Sequence, residues 1–368
     1  MLDQYRKEIE YCTFCPKMCR FVCPVSIADS NESSHPTGKM TLLHLMRDEA
    51  LDLDPDLAEV FYKCTGCMLC KSFCEHDQVL PPVFDAGKAL AVEQGVNPPA
   101  AEKFAKKFLQ QGSPWEADLK AEQRRMVPNR YFSEEAQVAY FAGCTQIHQD
   151  PKALRGLVRI FEKAKVDFVA AFEGPDMCCG YPLVSVGHEA EFAELAGRNI
   201  ERLSRYKKVI VSDPGCLHTM KARYTELGLP ASVELIHVSQ WLKELIDSGA
   251  LKPKKKGKEK VLYHDPCYLG RYLQVYDEPR EVLGACLEEG PGEFRWSREK
   301  SKCSGGGEAY PVMFPEEARK IAEARVEDAR ERGAERIVTS CPTCVKRLGR
   351  AAKDIPVEDL ISFVASRI

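Results

Sequence analysis

The sequence predicts a multi-domain α+β chain: a helical, cysteine-rich N-terminal domain followed by two tandem α/β domains with parallel sheets. Three observations carry that expectation. The chain has 368 residues, 44% of them hydrophobic, enough for more than one core. Its 17 cysteines fall almost entirely into short clusters, the first eight among helical apolar spacings. From residue 138 onward, short apolar runs alternate with amphipathic stretches, and the alternation passes through twice.

The first domain is expected over residues 1–95. Residues 12–24 read CTFCPKMCRFVCP, and residues 64–74 read CTGCMLCKSFC. The second run has the C-x-x-C-x-x-C-x-x-x-C spacing of bacterial ferredoxins; the first has one extra residue between its second and third cysteines. Spacing this close lets three thiolates of one loop wrap a 4Fe–4S cubane, while the fourth cysteine ligates the other cluster. By that logic Cys12, Cys15, Cys19 and Cys74 hold one cubane, and Cys64, Cys67, Cys70 and Cys23 hold the second. Two zinc sites are the competing reading, but structural zinc rarely uses four cysteines packed so tightly, and Pro24 after Cys23 matches the iron–sulfur signature. Between the runs, GKMTLLHLMRDEA (38–50) has helical periodicity, and a further helix starts at an Asp54 or Asp56 cap. His35 and His44 read as surface or packing residues, because the cysteines fill the cluster valences.

Residues 96–137 read as a helical linker, with AEKFAKKFLQQ as an amphipathic helix packing across the modules. Then comes the repeat, expected as domains at 138–250 and 260–368. Its first half runs VAYFAGC (138–144), VDFVAAF (166–172), MCCG (177–180) and KVIVSDPGC (208–216), with helices between and after them. Its second half runs KVLYHDPC (260–267), EFRW (293–296), KCSGGG (302–307) and RIVTSCPTC (336–344), again with helices near 278–287 and 315–332. In both halves the cysteines sit where a strand ends and a helix begins, the edge at which open α/β sheets bind ligands. Helix N-termini there favour thiolates and anionic clusters.

The pattern C…CC-G…C-x-x-C in tandem, with YHDPCYLGRY, KCSGGG and CPTC, resembles the cysteine-rich CCG domains of the heterodisulfide reductase family, whose relatives include the iron–sulfur subunit of glycolate oxidase. The N-terminal module resembles that family's usual companion. The resemblance implies that five cysteines of one CCG motif bind a noncubane 4Fe–4S cluster, in which adjacent cysteines such as Cys178 and Cys179 serve neighbouring irons. Both halves depart from five. The first keeps Cys144, Cys178, Cys179 and Cys216 but has Asp213 where a cysteine belongs; the second keeps Cys267, Cys303, Cys341 and Cys344 but has Ser304. Four thiolates suffice for a cubane, and Asp213 or Ser304 could substitute as an oxygen ligand in the noncubane form. Altered noncubane clusters, ordinary cubanes and an emptied scaffold all stay open, giving one or two further 4Fe–4S clusters beyond the two cubanes.

Charge is nearly balanced at −3, which argues against a nucleic-acid surface. No apolar stretch reaches membrane-span length and the N-terminus lacks a signal-peptide core, so the expectation is a cytoplasmic protein without direct membrane insertion. Cys286 reads as a small buried hydrophobe on a helix. KPKKKGKEK (252–260) reads as a solvated loop between the halves. His148, His188, His218, His237 and His264 read mainly as hydrogen-bonding or packing residues, and no catalytic residue is assigned. No G-x-G-x-x-G follows a strand, so a flavin would sit on a partner. The functional expectation is an iron–sulfur electron-transfer subunit of an oxidoreductase complex, working with a flavoprotein or other iron–sulfur subunits. Two alternatives are a disulfide reductase acting at a noncubane cluster and a non-redox metal-stapled scaffold.

Overall fold

The computed structural model describes residues 2–132, 136–166, 168–170, 177–254 and 258–368. Parts of two sequence readings lie outside them: residues 167, 171 and 172 of the 166–172 strand, and Lys255, Lys256 and Gly257 of the lysine run.

Proline opens the helices Pro24–Asp29, Pro36–Arg47, Pro55–Tyr62 and Pro81–Glu93, where its fixed φ suits the first turn and its missing N–H costs nothing. Asp54 caps the third of these, accepting the Leu57 N–H at 2.8 Å. His35 caps the second: its Nδ1 accepts the Gly38 N–H at 2.7 Å, so the ring is a buried cap and not a surface group. The last three of these helices and Arg6–Thr13 close around Ile9, Met40, Leu43, Phe61, Val83 and Phe84, while Val25 of Pro24–Asp29 packs with Tyr310, Ala318 and Ile321 of the second half. The cysteine runs are left as loops and short 3₁₀ turns at the edge of that small core.

The amphipathic stretch of the linker is the helix Pro99–Gln111. Ala101 and Ala105 pack with Tyr62, Val186 and Ala309, so one helix touches the N-terminal module and both halves of the repeat.

Each half is a four-stranded, all-parallel sheet. The first contains β1 (Val138–Phe141), β2 (Val169–Ala170), β3 (Lys208–Val211) and β4 (Glu234–His237), in the order β2-β1-β3-β4. The second repeats it with β5 (Val261–His264), β6 (Gly292–Glu293), β7 (Arg336–Thr339) and β8 (Val357–Asp359), in the order β6-β5-β7-β8. The sequence reading missed β4 and β8, each lying just before the final helix of its half, and placed β6 slightly late, over 293–296. In each sheet the strand order reverses beside the first strand, opening a crevice at the carboxyl ends of β1 and β3, and of β5 and β7.

The halves interlock. Helix Leu360–Ala365, from the second half, lies on Pro151–Ala164 of the first, where Gly156 leaves room for Ala365 and Ile361. One apolar core runs through both, including Phe141, Leu157, Leu242, Val282, Val338 and Phe363.

Candidate metal centres

The local structure explains why the cysteines face inward together. In the N-terminal module Cys12, Cys15, Cys19 and Cys74 line one small cavity of about 110 Å³. Burial, then Cys19, Cys74 and Cys15, push the Cys12 thiol up to about 12. Cys70 lines the same cavity but is surrounded by Cys67, Cys23 and Cys64, which with burial hold its thiol well above the usual range. Cys70 thus stands between Cys12, Cys15, Cys19 and Cys74 on one side and Cys23, Cys64 and Cys67 on the other. The Gly66 N–H donates to Cys64 Sγ at 3.3 Å. Lys39, fully buried, faces Cys23, Cys64 and Cys70 beside the second set, and burial pulls its ammonium below the usual lysine range.

In the first half of the repeat, Cys144 follows β1, Cys178 and Cys179 follow β2, and Cys216 sits in the first turn of Pro214–His218 after β3. Cys144 and Cys178 sulfurs are 3.6 Å apart. Burial pushes the Cys179 thiol up, but hydrogen bonds from Cys178 and Cys216 overcome it and hold it well below the usual range. Cys178 and Cys216 are driven the opposite way by their sulfur neighbours and by burial. Four sulfurs in one buried nest are a donor set suited to a soft metal. Asp213 caps the helix, accepting the Gly215 N–H at 2.8 Å, and its carboxyl is pushed up to about 6 by burial and then by Cys179.

The second half places Cys267, Cys303, Cys341 and Cys344 correspondingly. Ser304 Oγ donates to Cys344 Sγ at 3.2 Å, so the serine occupies the thiol set rather than turning away. The Gly305 N–H donates to Cys303 Sγ at 3.2 Å. Cys303 also hydrogen-bonds Cys267 and Cys67, which joins this set to the N-terminal module. That join is clamped: Arg271 Nε donates to the Cys67 carbonyl at 2.5 Å, the Tyr272 hydroxyl to the Gly66 carbonyl at 2.5 Å, and Gly307 lies against Thr65. Behind it, buried Lys88 pairs with Asp85 at 3.1 Å and with Glu308.

Both repeat sets open onto one cavity of about 600 Å³. Cys144, Cys178, Cys179, Asp213 and Cys216 line one side; Cys267, Cys303, Ser304, Cys341 and Cys344 line the other. Sequence spacing gave no sign of this shared space, nor of the Cys67–Cys303 contact.

The histidines serve other ends. His264 accepts from Arg325 Nε at 3.1 Å, and His148 and His188 pair with Glu122 and Glu191. His218 packs against Tyr272, with ring centroids 4.5 Å apart. His237 is a buried cap: Nδ1 accepts the Ser239 N–H at 3.2 Å and Nε2 donates to the Ser212 carbonyl at 3.0 Å. Cys286 is buried on helix Asp277–Cys286, and burial pushes its thiol up to about 11.

Comparison with known proteins agrees with this layout. Residues 8–77 match the 4Fe-4S dicluster domain family, and residues 138–221 and 261–349 match the cysteine-rich domain family CCG. The chain is 32% identical over 316 residues to a subunit of the dihydromethanophenazine:CoB–CoM heterodisulfide reductase of Methanosarcina barkeri, covering 83% of this chain and 77% of that one. It is 26% identical to a subunit of the fumarate reductase (CoM/CoB) of Methanothermobacter marburgensis, covering 93% and 68%. A hypothetical protein from Helicobacter pylori superposes with a TM-score of 0.57 at 9% identity, over 100% of this chain and 75% of that one, a likeness of fold alone. No helix among the described residues is long and apolar enough to cross a membrane.

Proposed function

The chain belongs to the heterodisulfide reductase-like iron–sulfur oxidoreductases with tandem cysteine-rich domains, and from that premise we propose that it is the electron-transfer subunit of a larger redox complex. The observation that carries the reading is the unbroken order of thiol sets. Cys12, Cys15, Cys19 and Cys74 adjoin Cys23, Cys64, Cys67 and Cys70 through Cys70; the latter set meets the second-half set at Cys67 and Cys303; and that set shares a cavity with the first-half set.

In this proposal the eight N-terminal cysteines hold the two cubanes of the dicluster domain. The repeat sets, completed by Ser304 and Asp213, hold further 4Fe–4S clusters. Bound clusters supply one-electron redox chemistry. The protein's own residues do the rest. The Gly66 and Gly305 N–H groups stabilise charge on sulfur, Lys39 offsets it, and Arg271 and Tyr272 fix the distance between the N-terminal and second-half sets. The partner is a flavoprotein or another iron–sulfur subunit, and the setting is the cytoplasm.

The shared cavity favours a second reading, reduction of a small disulfide within it: RSSR + 2 e⁻ + 2 H⁺ → 2 RSH. The S–S bond breaks, the electrons come from the reduced relay, and the protons come from solvent or from protic side chains at the cavity such as Tyr181 and Glu308.

Native mass spectrometry of anaerobically purified protein tests the first reading. Two cubanes give about 8 iron atoms per chain, one filled repeat site about 12 and two about 16. A count near 8 removes the relay beyond the N-terminal module. At a count of 12 or 16, dye-reduced protein either turns over a disulfide, supporting the second reading, or reduces normally without turnover, leaving the relay alone.

A further inference from the structure

The loop after Cys303 ends on a strained glutamate. It reads Ser304, Gly305, Gly306, Gly307, Glu308, and Glu308 stands at φ +54°, in the left-handed region. Glycine adopts that backbone without steric cost, and three glycines precede the position, yet it carries a long acidic side chain. The Glu308 N–H donates to the Tyr181 hydroxyl at 3.1 Å, which fixes the turn, and Glu308 lines the cavity of about 600 Å³. Strain held at a buried acid on a cavity wall points to function rather than to packing.

That carboxyl is the inner end of a row of charges that starts at the surface. Exposed Glu226 pairs with Arg223 at 3.1 Å, Arg223 meets Asp85 at 3.5 Å, Asp85 meets Lys88 at 3.1 Å, and Lys88 pairs with Glu308. The row holds three carboxyls, Glu226, Asp85 and Glu308, against two cations, Arg223 and Lys88. Buried ion pairs stabilise a fold little better than apolar residues of the same shape, so stability does not account for carrying this row to the cavity. The carboxyl with least access to water is the one that takes the excess proton. Burial, against the opposing pull of Lys88, holds Glu308 above the usual carboxylate range.

The groups that face Glu308 are Lys88 and Asp85 of helix Pro81–Glu93, Arg223, Cys64 of the N-terminal loop, and Tyr181, Tyr268 and Tyr272 of the repeat. Glu308 Oε1 and the Tyr268 hydroxyl converge over Gly66, 2.5 and 3.0 Å from the place a Cβ would take. The Tyr268 and Tyr181 hydroxyls share a hydrogen bond of 2.8 Å, and both residues line the cavity. Phenols titrate at about 10, so at neutral pH they pass a proton on more readily than they supply one. The other acids of the wall are engaged, Asp213 by the Gly215 N–H and Glu116 by Lys107 at 2.7 Å. Lys346 lies against the Trp115 ring, 4.5 Å from its centroid, and arginine does not release its proton.

We propose that Glu308 is the proton donor of the cavity, protonating the thiolates left by reduction of a disulfide there and refilling from solvent through the row that ends at Glu226. This role rests on the second reading of the cavity, reduction of a small disulfide, and assigns its proton source. Two electrons from the reduced relay break the S–S bond, RSSR + 2 e⁻ → 2 RS⁻. The Glu308 carboxyl gives its proton to one thiolate and becomes a carboxylate, then takes up a solvent proton and serves the second. A carboxyl is a stronger acid than a thiol, so each transfer runs downhill. An acid that titrates close to the working pH is the most effective donor.

Stopped-flow oxidation of the dye-reduced, cluster-loaded protein by 2-hydroxyethyl disulfide tests it. Glu308→Gln keeps the shape and removes the proton; it should slow reoxidation by roughly a hundredfold or more and leave reduction by the dye unchanged. Glu308→Asp, which restores a carboxyl, should recover part of the rate. The parent rate should fall about tenfold per pH unit above the titration of the carboxyl, and Glu308→Gln should show no such fall. Apart from turnover, the reduced-minus-oxidised infrared difference spectrum of the parent should carry a carboxyl C=O band that Glu308→Gln lacks. The visible spectrum and iron count of each variant establish that its clusters are intact. A Glu308→Gln protein that turns over at the parent rate, keeps the pH profile or keeps the band would overturn the donor and leave the disulfide reading standing. A parent that the disulfide never reoxidises would instead sink that reading, and the donor with it.

Discussion

Gly307→Ala isolates the seam between the N-terminal module and the repeat. A Cβ at residue 307 would run into the Thr65 carbonyl oxygen and lie 2.9 Å from the carbonyl carbon, where ordinary contacts begin near 3.4 Å. The atoms it meets are backbone, so no rotamer change relieves the clash. The Thr65–Gly66 loop, held by Tyr272 and Arg271, must move away from the second half. Overpacking of this kind costs typically 1–3 kcal/mol, and an unyielding backbone neighbour puts this case near about 3 kcal/mol. Gly307 has no positive φ, so the effect is steric and not conformational. Hydrogen–deuterium exchange on the loaded protein reads it directly. Amides of residues 64–70 and 303–308 should exchange roughly a hundredfold faster, as a local opening easier by that energy allows. Gly197→Ala, in a helix with nothing within 4 Å of the added carbon, is the control and should stabilise by roughly 0.5–1 kcal/mol. Exchange at 64–70 unchanged in Gly307→Ala would mean that the two modules are not held at this seam.

Three further outcomes follow from the same geometry. Ser304→Cys should alter the low-temperature EPR spectrum of the reduced protein, and Asp213→Cys likewise for the first half; two unchanged spectra would remove both residues from the metal sites. Lys88→Met leaves the Glu308 side chain buried without its cation, while Asp85 keeps Arg223 at 3.5 Å, and should cost about 3–5 kcal/mol in urea unfolding, with Glu308→Gln in the same chain recovering part of it. If the double variant is no more stable than the single one, the pair is not coupled. His237 is held at about 4 by burial, below its ordinary 6.5. The folded state therefore keeps the ring neutral while the unfolded chain protonates it, and about 3 kcal/mol of stability is lost as pH falls from about 6.5 to about 4. In His237→Asn the acid loss should shrink by that amount; an equal loss in parent and variant would assign the acid sensitivity elsewhere.

Cysteine spacing made the grouping of thiols legible because residues within one loop converge as a local property. Cys12 to Cys19 and Cys64 to Cys70 need only a few backbone dihedrals to converge. Strand-then-cysteine order likewise placed Cys144, Cys216, Cys267 and Cys341 at the carboxyl edges of their sheets. β4 and β8 escaped because each is three or four residues long and runs directly into a helix, which hides the period-two signal. Contacts between distant segments had no sequence signature at all. Cys67 meets Cys303, Lys88 meets Glu308 and Lys346 meets Trp115 across chain separations that no periodicity spans. The lysine at 88 reads locally as a solvated helix residue, and only the tertiary fold buries it.

The interlocked helices set a timetable for biosynthesis. Pro151–Ala164 presents the face around Gly156 for burial, yet its cover, Leu360–Ala365, is made some two hundred residues later. At about 5–20 residues per second that is a wait on the order of ten seconds or more. During it the first half has a sheet and a nest of thiols but an uncovered apolar flank. A nascent chain in that condition needs a chaperone more than it needs iron. A chain cut short before residue 360 would be expected to aggregate rather than to yield a folded first half.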